Sequence, residues 1–475
     1  LAYQNKIAKQ HVSGSRAYMF KLKPIFAALA ISTSLLAFSG CATGQTPNAS
    51  FATPPPSVLP ERLATMRTVL QDGVDKKVAS GFSAALVDSY GRIESTYVGL
   101  ADVETGKPIT PDTVFRLYSM TKPITAVAIM MLVEEGKVDL DAPVSTYIPS
   151  FTKTVVYVSG DTLETLKTEP AVRQLTVRDL MRQSAGIPWW GATKPVERLY
   201  AMNGIERAPS EPVPGFKGPR VANLQDLADR VAATPFTNQP GETWTYGIAI
   251  DVLGRVVEVA SGQSLGTFFQ ERIFMPLGMK HTAFQVQPGD KENLANVYFA
   301  VSKIKPPTGG IDSYVKSLKD VPMHEALRPG DPPAKSPFLE PARIEFGGAG
   351  LVGTLSDYVR FARMIAGQGE LDGVRIIKAS SIAEMGKDQL GPKANANLIK
   401  QGYSYGLGFG TVVDSNLYPS GAPVGTMFWG GAAGTQFWAN PQTKEAGVLM
   451  TQVLGDYLRT YQVNAARAAI GQPVQ

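Results

Sequence analysis

From Glu61 onward the apolar positions fall into two spacings. Leu63, Met66, Leu70 and Val74 recur every three or four residues, which predicts an amphipathic helix that stops before Gly81. Residues 82–87 and 95–100 then read as two strands around the turn Ser89-Tyr90-Gly91-Arg92. The middle of the chain is mostly helix and long Pro/Gly-rich loop, with helices predicted over 177–182, 224–233, 248–261 and 265–274 and a loop over 302–345. Beyond it, Tyr358, Phe361, Ala362 and Ile365 mark one side of a helix over 355–365. Short strands at 406–413, 427–430, 436–439 and 446–453 precede a closing helix over 456–470.

Strands at both ends with helices between predict an α/β chain of the α+β kind. One sheet is built from 61–110 and 345–475, and a mainly helical part, 111–344, is inserted as a second layer. The cleft between the layers is the expected place for a site. No repeat of fixed period appears.

Composition changes the picture mainly at the N-terminus. The chain has 475 residues, 44% of them apolar, and a formal charge of +5. The first 40 residues hold Lys6, Lys9, Arg16, Lys21 and Lys23 and no acid, so the remainder is formally neutral. The basic balance therefore gives no reason to expect nucleic acid as a partner. Lys21 and Lys23 precede an apolar run over 25–38, which reads as an export signal, with Met19 as the expected true start. The run ends Phe38-Ser39-Gly40-Cys41, which resembles a bacterial lipobox, so Cys41 is the expected lipidation site and membrane anchor of a periplasmic lipoprotein. The alternative is ordinary cleavage nearby. Residues 41–60, with Pro54-Pro55-Pro56, read as a tether, and a lone cysteine leaves no internal disulfide.

Candidate chemistry centres on Ser-x-x-Lys, which occurs at Ser119/Lys122, Ser302/Lys305 and Ser313/Lys316. The latter two fall in the predicted loop. Ser119 instead opens a helix with Ile124, Val127, Ala128, Met131 and Leu132 on one face, and Pro123 fits only in its first turn. The spacing of three brings Lys122 within reach of the Ser119 hydroxyl, and the helix N-terminus favours an alkoxide there. A lysine desolvated in this turn can accept a proton. The bland reading is an N-cap serine beside a surface lysine. Gly262-Gln263-Ser264-Leu265-Gly266 also matches a nucleophile elbow, but a helix is predicted before it, and His281 is one of only three histidines. Gly347-Gly348-Ala349-Gly350 lacks the lysine of a phosphate loop and reads as a tight turn. No metal-ligand spacing stands out.

The run Phe115-Arg116-Leu117-Tyr118-Ser119-Met120-Thr121-Lys122-Pro123 resembles the nucleophile motif of the serine β-lactamase-related hydrolases. It is most similar to that of the family VIII carboxylesterases, which resemble class C β-lactamases. Leu175-Thr176-Val177-Arg178-Asp179-Leu180, Pro240-Gly241 before Tyr246, Pro276-Leu277-Gly278-Met279, Gly350-Leu351 with Asp357-Tyr358, and Trp429-Gly430-Gly431 follow in the family's order. The resemblance covers 61–470. It implies an antiparallel sheet flanked by helices, no cofactor, and a small-molecule ester as substrate. It makes Ser119 the nucleophile, Lys122 its activating partner and Tyr246 a base or proton relay. Trp429, Gly430 and Gly431 line the substrate, and the backbone N–H groups of Ser119 and Ala432 form the oxyanion hole. Three departures bear on specificity. Trp429 stands where β-lactamases carry a lysine, Ile248 where class C enzymes carry asparagine, and Gln183 where many relatives carry histidine. The tryptophan favours uncharged esters, and the first two together count against efficient β-lactamase or peptidase action. Trp189 and Trp190 are candidates for an apolar pocket or for core packing. The alternatives are a β-lactamase or D-alanyl carboxypeptidase, an esterase with weak β-lactamase activity, and an envelope protein that binds without turnover.

Overall fold

The computed structural model describes residues 54–189, 195–205, 220–300, 315–316, 318–341, 343–455 and 458–475. Met19, Cys41, Trp190, Ser302, Lys305 and Ser313 lie outside them.

The first predicted strand is the centre of the fold. β1 (Gly81–Val87) pairs antiparallel with β2 (Ile93–Asp102) on one side and, on the other, with β8 (Glu445–Met450) from the far end of the chain. The register puts Ser83 opposite both Tyr97 and Met450. Because β1 is covered on both faces, all seven of its residues are buried. Phe82, Ala84 and Leu86 enter one apolar cluster and Ala85 and Val87 another, as the period of two requires. Around this pair the sheet has eight strands in the order β4-β5-β6-β7-β8-β1-β2-β3. β3 is Lys107–Pro108, β4 Tyr403–Tyr405, β5 Gly410–Val412, β6 Met427–Gly430 and β7 Gln436–Asn440. Every neighbouring pair is antiparallel.

Helices cover the two faces. α1 (Leu59–Asp75) buries Leu63, Met66, Leu70 and Val74, the positions whose spacing predicted it, against one face together with the closing helix α5 (Leu458–Ala469). The other face carries α2 (Thr121–Glu134), α3 (Ala249–Ser261) and α4 (Leu355–Ala366). α4 starts where the Thr354 side chain accepts from the Asp357 N–H, and it buries Tyr358, Phe361, Ala362 and Ile365.

Three expectations change. α2 is not amphipathic: every residue from Thr121 to Leu132 is buried. Its threonines are satisfied internally, Thr125 Oγ1 donating to Gly347 O at 2.6 Å and Thr121 Oγ1 accepting from Leu351 N at 3.2 Å. Of the span 406–413 only Gly410–Val412 is strand, and 406–409 is the turn that joins it to Tyr403–Tyr405. Gly408 sits there at φ +85°, and a Cβ on it would lie 2.2 Å from the Ala126 methyl of α2. The span 302–345 is not all loop, because Leu327–Asp331 pairs with Val297–Ala300. Pro329 and Gly330 erase any alternation in that strand, and its partner is remote in sequence. The inserted part is accordingly not wholly helical. It also holds Val114–Arg116, which pairs with Val352–Thr354.

Candidate active site

The strand Val114–Arg116 leads directly into the site. Two residues on, Tyr118 adopts φ +45°, a left-handed conformation that a bulky side chain adopts only when its surroundings enforce it. The enforcement comes from below. Arg116 is fully buried, and its Nε donates to Asp331 Oδ2 at 2.6 Å while its guanidinium also donates to Asp331 O at 3.0 Å. The Arg343 guanidinium lies 3.5 Å from the centre of the Phe338 ring, which in turn meets Tyr118 edge-on, and burial pushes Arg343 down to about 10. Burial likewise pushes the Tyr118 phenol up. The bend delivers Ser119 into a single 3-10 turn, Tyr118–Met120, and α2 starts just after it at Thr121. The helix therefore begins two residues later than the sequence pattern places it.

Ser119 is 6% exposed, and its Oγ is the meeting point of two side chains. Lys122 Nζ donates to it at 3.1 Å and the Tyr246 hydroxyl donates at 2.8 Å. Lys122 is completely buried. Its Nζ also donates to Gly348 O at 2.7 Å and lies 4.9 Å from the centre of the Tyr246 ring. The tight turn predicted at Gly347-Gly348-Ala349-Gly350 is present, and it supplies the carbonyl that holds the lysine. Its own place is fixed by Asp251 of α3, whose Oδ1 accepts from Gly348 N at 2.8 Å. Neither Gly348 nor Asp251 was singled out from the sequence. The only signal was a glycine run with no phosphate-loop features.

Tyr246 lies in the extended segment just before α3. Its ring is stacked on Trp244 at 5.9 Å and on Trp189 at 6.4 Å, with Trp429 tilted against it at 5.5 Å. Trp244 was not anticipated. β6 brings Trp429 and Gly430 alongside the serine turn. At Gly431 a Cβ would lie 2.4 Å from Leu117 O, so only glycine lets the two segments approach this closely. Gly431 N donates to Thr435 O at 2.8 Å, whereas the N–H groups of Ser119 and Ala432 donate to no protein acceptor among the described residues. Ser119 opens onto a cleft of about 790 Å³ whose lining includes the aromatic rings of Trp189, Trp244, Tyr403, Phe428 and Trp429.

The competing residues are placed elsewhere. Ser264 caps the helix Leu265–Phe269, its side chain accepting from Thr267 N at 3.2 Å. His281 Nδ1 meets the Asp290 carboxylate at 3.0 Å in a loop. Ile248, at the class C asparagine position, is buried in the core. The arrangement that remains is a serine hydroxyl with a lysine amine and a phenol on its oxygen, beside two backbone donors. Such a group can attack a carbonyl carbon and pass its proton to a neighbour.

Comparison with known proteins shows the family. The Beta-lactamase family model matches residues 66–470. Esterase EstB of Burkholderia gladioli is 31% identical over 362 residues, covering 74% of this chain and 81% of its own. Among solved structures, EstCE1, "a hydrolase with promiscuous acyltransferase activity", superposes with a TM-score of 0.66 at 23% identity, covering 86% of this chain and 99% of its own. A class C beta-lactamase does so with a TM-score of 0.59 at 16% identity, covering 87% of this chain and 96% of its own. The chain belongs to the β-lactamase family and is one of its esterase-like serine hydrolases.

Proposed function

We propose that the protein is an exported carboxylesterase that opens short-chain esters through an acyl-enzyme on Ser119. The observation that carries the reading is the pair of hydrogen bonds on Ser119 Oγ, from Lys122 at 3.1 Å and from Tyr246 at 2.8 Å. In the first half-reaction Ser119 Oγ attacks the ester carbonyl, and its proton passes to the Lys122/Tyr246 pair. The accepting group is the Tyr246 oxygen in its phenolate form, which an adjacent lysine ammonium favours, and in that state the bond between the two oxygens runs from the Ser119 hydroxyl to Tyr246. The oxyanion is held by the N–H groups of Ser119 and Ala432. As the tetrahedral intermediate collapses, Tyr246 returns the proton to the leaving alcohol. Water then repeats the sequence on the acyl-enzyme and releases the acid.

The aromatic cleft and Trp429 favour an uncharged ester over a β-lactam carboxylate, which a cation at that position would bind. The relative named as an esterase supports the same choice. Export and attachment through Cys41 rest on the leader pattern. Replacing Cys41 with Ala should move the protein from the membrane to the soluble periplasmic fraction.

The test is hydrolysis of p-nitrophenyl acetate, butyrate and laurate and of nitrocefin. Ser119→Ala should lower kcat/KM for acetate by about a thousandfold or more. Tyr246→Phe should cost about a hundredfold, and Ser264→Ala nothing measurable. Undiminished hydrolysis in Ser119→Ala would sink the assignment. Nitrocefin turnover above acetate turnover would make the enzyme a β-lactamase, and stoichiometric acylation without turnover would make it a binding protein.

A further inference from the structure

Gln183, at the position where many relatives carry histidine, is fully buried and holds φ +58°, a conformation rare for a side chain of its length. It follows the helix Val177–Met181, and the backbone around it is pinned. Its N–H donates to Leu180 O at 3.2 Å, and the next residue, Ser184, donates to Asp179 O at 2.9 Å. From this fixed base Gln183 presents two acceptors, and both face the segment that carries Tyr246. Gln183 O accepts from Thr245 N at 2.7 Å, and Gln183 Oε1 accepts from Gly247 N at 3.1 Å. One residue thus holds the peptide that follows the tyrosine and the peptide that precedes Thr245.

The bond from Gly247 N also fixes which end of the amide is oxygen, so Nε2 is directed elsewhere. Among the described residues neither Nε2 nor the buried Tyr405 hydroxyl makes a hydrogen bond of good geometry. Burial raises the Tyr405 phenol well above its ordinary value, and the Gln183 amide opposes part of that rise, which places the two groups side by side. Tyr405 packs against Trp429 at 5.0 Å and Trp244 at 5.8 Å, two of the rings around Tyr246.

We infer that Gln183 is a positioning residue for Tyr246. It sets where the phenol hydroxyl sits relative to Ser119 Oγ and does not itself touch the substrate. The physical reason is leverage. The hydroxyl is at the end of a long rigid side chain, so a small rotation of the flanking peptides moves it by a large fraction of the 2.8 Å bond it makes. A misplacement of about 1 Å costs about a hundredfold in rate. Gln183 is the only side chain among the described residues that bonds a peptide N–H directly flanking Tyr246.

The inference rests on the proposal that Ser119 and Tyr246 carry ester hydrolysis, and a double-mutant cycle separates the two. Gln183→Asn tolerates the left-handed backbone but falls one methylene short of Gly247. With p-nitrophenyl acetate, Gln183→Asn should lower kcat between about tenfold and a hundredfold while KM stays within about twofold. In a Tyr246→Phe background the same change should cost less than about twofold, because the hydroxyl it positions is gone. Equal losses in both backgrounds, or an unchanged kcat in Gln183→Asn, would overturn the inference. If thermal melting shows that Gln183→Asn does not fold, the same cycle with Gln183→Met decides. A fully active Ser119→Ala would instead overturn the underlying reading. An inactive Ser119→Ala with a multiplicative cycle would overturn only the role of Gln183.

Discussion

Arg116 shows how much the neighbourhood of Ser119 depends on single buried contacts. Its guanidinium has no exposure, and Asp331 is the carboxylate that neutralises it. Asp331→Ala leaves that charge buried without its partner, which should destabilise the fold by about 3–5 kcal/mol in urea unfolding. The same variant should lose activity before it unfolds, since Tyr118 and Ser119 follow Arg116 directly. Asp179 gives a pH dependence. Burial alone would raise its carboxyl, but bonds from Arg173, Thr176 and Arg182 outweigh burial and hold it below the ordinary carboxylate range. The unfolded chain therefore takes up this proton first. The stability that Asp179 contributes is complete above about pH 4, the ordinary value, and drains away as pH falls through the lower folded value. Arg173→Met should accordingly shift the midpoint of acid unfolding, followed by far-UV circular dichroism, to higher pH. At this scale the sequence was legible where residues act on each other within one turn, as Ser119 and Lys122 do. It assigned no role to Gly348 or Asp251, whose parts depend on contacts between segments remote in the chain, Gly348 lying 226 residues from Lys122 and 97 from Asp251.

Among the elements, α2 is the one on which the site hangs, and Gly408 is its tightest neighbour. A methyl at Gly408 would meet Ala126 at 2.2 Å and would also be held at a positive φ. Gly408→Ala should therefore cost about 3 kcal/mol by thermal unfolding, with kcat falling because Lys122 rides on the displaced helix. Elements with strong periodicity were readable in the sequence. The predicted helix over 355–365 is Leu355–Ala366, and the predicted strand over 427–430 is Met427–Gly430. Two failures have opposite causes. The strand pattern over 406–413 ignored a glycine turn at which α2 approaches too closely for any side chain. The loop pattern over 302–345 hid Leu327–Asp331, which becomes a strand by pairing with a remote segment rather than by propensity. In the sequence α2 reads as carrying one apolar face, Ile124, Val127, Ala128, Met131 and Leu132, whereas its threonine hydroxyls too are satisfied inside the core.

On the scale of the molecule, the apolar cluster beneath α1 and α5 joins the two ends of the described chain. Leu458, Tyr461, Ala465, Ala468 and Ala469 pack with Leu63, Met66 and Leu70 over the central strands. Removing residues 456–475 should expose that face and yield protein that binds the dye ANS and elutes as aggregate in size-exclusion chromatography. A sheet built from both ends was foreseeable from the distribution of strand patterns. Its register was not, because Ser83 finds Met450 only after the whole intervening chain has folded back.

That closure has a consequence for biosynthesis. A ribosome delivers Ser119 and Lys122 early, Tyr246 and the Gly348 carbonyl much later, and the Ala432 N–H nearly last. On the proposed mechanism a nascent chain should therefore show no turnover until β6 docks beside the serine turn. Regain of turnover in refolding should for the same reason trail the recovery of helix signal, so that the reaction itself reports that the last strands have arrived.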